Sequence, residues 1–285
     1  MENSAPTVYF PDALSELLQL YRRSPTALLY AGGTHILSQR PGRFLELPST
    51  VLSIQDVEEL RRVSRTERMI EIGSGMTIAQ VLLLGEHNIP RALYAALNSI
   101  GPPAVRGIAT IGGNLAIPAR LMTAVPVLIL LDARIELRRQ GGVRWLPVSR
   151  FHLPDGRLDL KPGEVITRIR VPLQPWSGQM FRRFGTELSP ESEPLTVCGL
   201  VRVSNGIVEE IRLNGTASGR TLLRSRTMEA ELVGRRIPLS HREVESAGEA
   251  FGELPAELTD IQRDRFTRLL TWFLLNIPRL TTRSA

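Results

Sequence analysis

Two pairs of adjacent glycines constrain the fold of this 285-residue chain more than any other feature of its sequence. The first pair, Gly32-Gly33, follows a short apolar run at residues 27–31, which predicts a buried strand, and precedes a short helical stretch. The second pair, Gly112-Gly113, lies in residues 106–114, RGIATIGGN, where Thr110 and Asn114 are polar neighbours. Glycine lets a backbone turn sharply and approach another group closely.

The context of the two pairs points to a bound phosphate group. Successive backbone amides that enter a helix can cradle phosphate oxygens. Neither pair has the spacing of a P-loop or of the dinucleotide-binding glycine motif, and a plain turn is the alternative for each pair taken alone. Together they favour an elongated, phosphate-containing cofactor held between two loops.

The remaining patterns predict a mixed α+β chain. A capping box at Thr77 to Gln80 predicts a helix start, and alternating residues around Gly141-Gly142 and Asn205-Gly206 predict two hairpins. Further strands are expected at 50–54, 69–72 and 164–172, and further helices after a cap at Asp12, after Pro90, at 221–232, after a capping box at 240–243 and at 263–275. The proline-rich residues 172–178 are the best linker candidate.

Composition excludes several classes of protein. The net charge of +6 is carried almost wholly by arginine, because Lys161 is the one lysine among 35 basic residues. The arginines are scattered and aromatic residues make up 5%, so no nucleic-acid partner is expected. One cysteine, Cys198, cannot form a disulfide framework or hold an iron–sulfur cluster within this chain, and we expect a buried structural thiol there.

No metal site, secretory signal or membrane span is expected. The four histidines are widely separated, and residues 1–6 have neither a basic nor an apolar segment. The longest nearly unbroken apolar run, residues 124–131, is far shorter than the ~20 residues that span a bilayer. The expected location is cytoplasmic.

The glycine loops resemble those of a known family. Residues 29–34, LYAGGT, and residues 106–116, RGIATIGGNLA, are similar to the FAD-binding (medium) subunit of molybdenum hydroxylases of the xanthine dehydrogenase and carbon monoxide dehydrogenase type. The resemblance implies an α+β fold, with a two-subdomain, PCMH-like FAD-binding domain before a smaller domain of antiparallel sheet and helices. We place these domains at 1–174, with subdomains at about 1–54 and 55–174, and at 175–285.

The resemblance also implies which residues bind FAD. Both loops are expected to donate backbone N–H groups to the pyrophosphate, and apolar residues to line the flavin or adenine. Thr123 stands where relatives have an aspartate, and Arg183 where many have a lysine. The expected cofactor-binding residues are Leu29, Tyr30, Ala31, Gly32, Gly33, Thr34, His35, Ile36, Ile100, Thr110, Ile111, Gly112, Gly113, Asn114, Thr123, Ile166 and Arg183.

The function implied by the resemblance is electron transfer. Such a subunit takes electrons from a [2Fe–2S] cluster in a partner and passes them from FAD to NAD+ or another acceptor, while a molybdopterin subunit acts on the substrate. No catalytic acid or base is expected in this chain, since the cofactor performs the chemistry. The alternative is a flavin-free structural subunit that bridges the same partners.

Overall fold

The computed structural model describes residues 5–39, 47–185 and 192–282. In these ranges the strands are β1 (Thr7–Tyr9), β2 (Leu28–Tyr30), β3 (Thr50–Ser53), β4 (Val63–Arg65), β5 (Met69–Gly73), β6 (Arg134–Arg139), β7 (Gly142–Pro147), β8 (Val165–Pro172), β9 (Gly178–Phe184), β10 (Leu195–Ser204), β11 (Ile207–Ala217) and β12 (Thr221–Leu223). The helices are α1 (Leu14–Arg23), α2 (Thr34–Ser38), α3 (Ile78–Leu82), α4 (Arg91–Asn98), α5 (Pro103–Arg106), α6 (Ile111–Leu115), α7 (Ala124–Leu130), α8 (Arg226–Leu232), α9 (His241–Phe251), α10 (Asp260–Leu275) and α11 (Ile277–Thr282).

The chain divides into two compact units that alternate along the sequence. Unit 1 comprises residues 1–89, 100–119 and 131–173, and unit 2 comprises residues 90–99, 120–130 and 174–285. The α+β class is confirmed. The domain limits expected at 174 and 175 stay a prediction, and the helices α4 and α7 cluster with the C-terminal part of the chain.

Unit 1 contains two sheets. The first is parallel, in the order β1-β3-β2, and packs against α1 through Leu17 and Leu18. The second is antiparallel, in the order β4-β5-β8-β6-β7. In α1 the sequence patterns and the structure differ slightly, because Ala13, not Asp12, occupies the cap position and no side chain caps it.

Unit 2 is built on an antiparallel sheet in the order β12-β11-β10-β9. One face packs against the helices α8, α9 and α10, with Phe266 over Gly215 and Phe273 over Gly199. Strand β11 also contacts α7, where Asn214 donates to the carbonyl of Pro126 at 2.8 Å and Arg212 donates to that of Leu130 at 2.7 Å. Every residue of α7 is buried.

Most local signals correspond to observed elements. Capping boxes begin α3 at Thr77 and α9 at Ser240, and the turns at Gly141-Gly142 and Asn205-Gly206 join antiparallel strands. Asn205 and Gly206 both have positive φ angles, 51° and 75°, as a two-residue hairpin turn of type I′ requires.

One predicted helix is wrong in its first turn. Residues 221–223 form β12, which pairs with β11, and α8 begins only at Arg226. The physical reason is the cap: the Ser225 hydroxyl accepts a hydrogen bond from the Met228 amide, which sets the start of the helix there.

Among the helices in the described ranges, none combines the length and the apolar character that a membrane span requires. Nor do the described residues bring together three or more His, Cys, Asp or Glu side chains in a group that could hold a metal ion.

Candidate functional site

Two hydrogen bonds hold the backbone where the first glycine loop follows β2. The Tyr30 carbonyl accepts from the Ile54 amide at 2.9 Å, and the Ala31 carbonyl accepts from the Gln55 side-chain amide at 3.0 Å. Gly33 then adopts the left-handed conformation, with φ +66°, and stands at the cap position of α2. The left-handed angle favours glycine here, and a side chain at Gly33 would also require the ring of Tyr30 to move.

The amides of this loop point to a ligand. Among the described residues, the backbone N–H groups of Gly32, Gly33, Thr34 and Ile36 have no hydrogen-bond acceptor. They belong to a half-buried turn that enters a helix, where backbone donors and the helix dipole both favour an anion. This donor set fits a pyrophosphate.

The two glycine loops lie in contact within unit 1. A Cβ atom placed on Gly32 would overlap the carbonyl oxygen of Ile108, two residues before Thr110. The contact therefore depends on the absence of a side chain at Gly32. The expectation that the two loops form one cofactor site stays a prediction.

Most backbone amides of the second loop have acceptors, either within the loop or in residues 74–76. Thr110 caps α6, and its hydroxyl accepts from the Gly113 amide at 3.0 Å. The amide of Ile111 donates to Met76, that of Gly112 donates to Ser74, and that of Asn114 donates to the Thr110 carbonyl. Four of the five amides at residues 110–114, those of residues 111–114, thus have acceptors within the chain, and the expected donation from this loop to the cofactor stays a prediction.

Sequence reasoning missed the contribution of Ser74. The segment Gly73-Ser74-Gly75 forms the turn from the end of β5 toward the helix capped by Thr77. In addition, Ser74 is buried and hydrogen-bonded both to β8 and to the second loop. The glycines on either side of Ser74 were the available signal in the sequence. In the structure Gly73 has no room for a side chain beside the backbone of Leu60.

The apolar residues expected near the cofactor lie in the same unit. Ile166, on β8, is buried, and its carbonyl accepts a hydrogen bond from the Ser74 hydroxyl. Ile100 precedes α5, and its carbonyl accepts from the guanidinium of Arg106 at 3.1 Å. The structure thus connects the first loop, the second loop, Ser74 and Ile166 through direct contacts, while Ile100 is attached to the second-loop segment through Arg106.

Two expected residues belong to unit 2. Thr123 is buried immediately before α7. Arg183 lies on β9, where its guanidinium donates to the Ser99 carbonyl at 2.7 Å. Their expected roles toward the cofactor stay predictions.

Two buried titratable groups have pKa values shifted by structural contacts. Cys198 is fully buried, and burial raises the pKa of its thiol far above the ordinary value, as expected for a structural cysteine. Burial also raises the pKa of Glu164, but hydrogen bonds from Arg144 and from the Lys161 amide more than offset this, so its pKa is lowered. These groups stabilise the fold.

Comparison with known proteins agrees with this geometry. The family described as FAD binding domain in molybdopterin dehydrogenase matches residues 3–174. The xanthine dehydrogenase FAD-binding subunit of Escherichia coli O157:H7 is 27% identical over 245 residues, which cover 83% of this chain and 82% of that protein. The nicotinate dehydrogenase FAD-subunit of Eubacterium barkeri is 31% identical over 175 residues, or 57% of each chain.

Solved structures show the same fold over the full length. Carbon monoxide dehydrogenase from Hydrogenophaga pseudoflava superimposes with a TM-score of 0.80 at 24% identity and 100% coverage of both chains. Quinoline 2-oxidoreductase from Pseudomonas putida 86 superimposes with a TM-score of 0.78 at 20% identity, covering 100% of this chain and 99% of that one. The chain therefore belongs to the FAD-binding domain family of the molybdopterin dehydrogenases, and it is an FAD-dependent oxidoreductase subunit of the xanthine dehydrogenase type.

Proposed function

We propose that this chain is the electron-transfer subunit of a molybdenum hydroxylase complex. In this proposal it accepts electrons from a [2Fe–2S] cluster in a partner subunit and delivers them to NAD+ or another acceptor, while a molybdopterin subunit acts on the substrate. Membership of the FAD-binding family and the subunit names of its relatives support this role. The single, buried Cys198 agrees with clusters held by another chain.

The observation that carries the proposal is the match of residues 3–174 to the FAD-binding family, together with the amides of Gly32, Gly33, Thr34 and Ile36, which have no acceptor among the described residues. We assign them to the pyrophosphate of FAD, which needs several donors and no side-chain charge. Thr34 is the one residue among them that adds a hydroxyl close to the same position. Leu29 and Tyr30 end the strand that leads into this loop, while Ala31 and His35 complete it.

The second loop has a different role from the first. Since its amides are mostly bonded within the chain, we assign residues 110–114 to shaping the opposite wall, with the Thr110 amide as its remaining backbone donor. We assign Ile100 and Ile166 to apolar surface for a ring system of the cofactor. FAD, when bound, supplies the redox chemistry; the chain binds it, orients it and limits its contact with water.

A flavin measurement tests cofactor binding directly. The purified chain is expected to contain, or to take up, one FAD per chain, detected by its visible absorption and identified after release by heat. A chain that stays colourless with FAD, alone and with its partner subunits, would contradict the assignment and favour the flavin-free bridging role.

A second measurement tests which groups exchange electrons with the flavin. The FAD-loaded chain is mixed with NADH without oxygen, and separately with a reduced [2Fe–2S] partner. Bleaching of the flavin by both supports transfer between the cluster and a nicotinamide. Bleaching by the partner alone would replace NAD+ by another acceptor, and bleaching by neither would contradict the electron-transfer proposal.

A further inference from the structure

Ser74 occupies the point where strand β5 ends and the chain turns toward α3. It is 3% exposed, and it forms three hydrogen bonds with two different segments. Its amide donates to the Thr167 carbonyl at 3.0 Å and its hydroxyl donates to the Ile166 carbonyl at 2.5 Å, both on β8. Its own carbonyl accepts from the Gly112 amide at 2.9 Å, in the second glycine loop.

The Ser74 hydroxyl donates to a carbonyl of β8 that lies just beyond the end of the pairing between β5 and β8. The pairing of β5 with β8 ends at Gly73 opposite Arg168, and the register of β8 with β6 shifts beside Thr167. Beyond that point Ile166 has no residue of β5 opposite it, and the Ser74 hydroxyl donates to its carbonyl there.

The same residue fixes the second loop at close range. A Cβ on Gly112 would lie 2.7 Å from both the Cβ and the carbonyl oxygen of Ser74, so the two backbones touch. Two further hydrogen bonds, from Ile111 to Met76 and from Ile78 to Ala109, hold the flanking residues. The loop thus takes its position from the 74–78 turn, and the Ser74 hydroxyl ties that turn to β8.

We propose that Ser74 is a positioning residue for FAD binding, which acts by tying the second glycine loop to β8 beside Ile166. The proposal rests on the assignment of FAD to the two loops. The backbone bonds of Ser74 could come from any residue, whereas the hydroxyl bond requires serine. Loss of this hydroxyl bond should therefore make the position of Gly112 relative to Ile166 less fixed, without removing either residue.

The test compares Ser74→Ala with the wild-type full-length chain after removal of FAD. Alanine keeps the Cβ against Gly112 and removes only the hydroxyl. We expect FAD to bind at least about tenfold more weakly to the variant, in a fluorescence titration. We also expect faster hydrogen exchange of the Gly112 amide in the absence of FAD, which a change in overall stability alone would not confine to this loop.

Thr167→Val is the matched control. Thr167 is buried on the same strand, but its hydroxyl donates to Glu136 at 2.6 Å, away from the second loop. We expect it to lower the free energy of unfolding while leaving the dissociation constant of FAD and the exchange of Gly112 unchanged. Equal weakening of FAD binding in both variants would assign the effect to general destabilisation and overturn the proposal.

The remaining outcomes separate this inference from the proposed function. Wild-type FAD affinity and Gly112 exchange in folded Ser74→Ala overturn the positioning role and leave the FAD assignment intact. A wild-type chain that binds no FAD contradicts the assignment itself. If Ser74→Ala does not fold, Ser74→Cys retains the volume and a weak donor, and intermediate FAD affinity then supports the proposal, whereas wild-type affinity overturns it.

Discussion

At the scale of single residues, the glycines of the first loop are required for different reasons. Gly33 has a left-handed backbone that other residues rarely adopt. Gly32 has an ordinary backbone angle but lies against the Ile108 carbonyl, where any side chain overlaps backbone atoms. A sequence pattern shows both as glycine, while only the structure shows which constraint acts at each.

Gly32→Ala should therefore separate the two loops. Because Ile108 contributes a backbone atom, it cannot move aside by a change of rotamer, and the first loop has to shift. We expect the dissociation constant of FAD to rise at least about tenfold, which corresponds to about 1.4 kcal/mol, in a titration of the FAD-free chain.

Gly141→Ala is the control for this change. Gly141 has φ +79°, but no atom would lie within 4 Å of a new Cβ in that hairpin turn. We expect a loss of about 1 kcal/mol in the free energy of unfolding and no change in FAD affinity. If Gly32→Ala binds FAD as tightly as this control does, the contact between the loops is not needed for binding.

A histidine supports the far end of the second-loop helix. Burial lowers the pKa of His152 from 6.5 to about 4, and a hydrogen bond to the backbone of Leu115, the last residue of α6, opposes the shift in part. Its Nε2 atom is buried and has no hydrogen-bond partner among the described residues. The folded chain thus binds the His152 proton less readily than the unfolded chain does.

This shift predicts a pH dependence of stability. The His152 contribution is complete above pH 6.5 and is lost as the pH falls from 6.5 to about 4, where the unfolded chain takes up the proton first. Over that interval the wild type should lose about 2–3 kcal/mol more than His152→Gln, measured by urea unfolding. Parallel pH profiles for the two proteins would contradict the prediction.

At the scale of elements, one arginine joins β7 to the segment before β8. The Arg144 guanidinium donates to both oxygens of Glu164, each at 2.8 Å, and to Asp159. The Glu164 side chain is only 4% exposed, whereas that of Arg144 is 28% exposed. The buried Glu164 carboxylate therefore needs its counter-ion, whereas the Arg144 guanidinium is also partly solvated.

Arg144→Leu should destabilise unit 1 by about 2–4 kcal/mol, since it leaves a buried carboxylate without its counter-ion. Adding Glu164→Gln removes that charge and should recover part of the loss. Urea unfolding of the single and double variants measures both values. A double variant less stable than Arg144→Leu alone would contradict the role of the buried charge.

Element starts followed local chemistry closely in this chain, whereas short strands did not. The caps at Thr77 and Ser240 act within four residues, so their patterns predicted α3 and α9. The strand β12 has three residues and exists because β11 lies beside it, with Gly215 opposite Leu223. Its residues match a helical pattern equally well, and tertiary pairing overrides that preference.

At the scale of the whole molecule, the two units interleave along the chain, which bears on the expected boundary at 174. Helix α7 lies in the N-terminal half of the sequence, but its contacts with Arg212 and Asn214 are in unit 2. Its seven residues are all buried, and exposing their apolar side chains would cost on the order of 10 kcal/mol.

A fragment of residues 1–174 should therefore not fold as a stable monomer. We expect aggregation in size-exclusion chromatography and no tight FAD binding, because α7 has lost β10 and β11. The full chain treated in the same way is the control. A monomeric fragment with full FAD affinity would instead establish 174 as the end of an independent domain.

The sequence by itself determined the α+β class, the two hairpins, the starts of α3, α4 and α9, the buried thiol at Cys198 and, through its glycine loops, the family and its FAD cofactor. These features depend on residues close together in the chain, or on motifs specific enough to identify relatives. Only the tertiary structure decided that Gly32 contacts Ile108, that most amides of the second loop donate to acceptors within the chain, and that Ser74 joins this loop to β8. Those contacts join segments far apart in sequence, where no local periodicity or propensity specifies the partner.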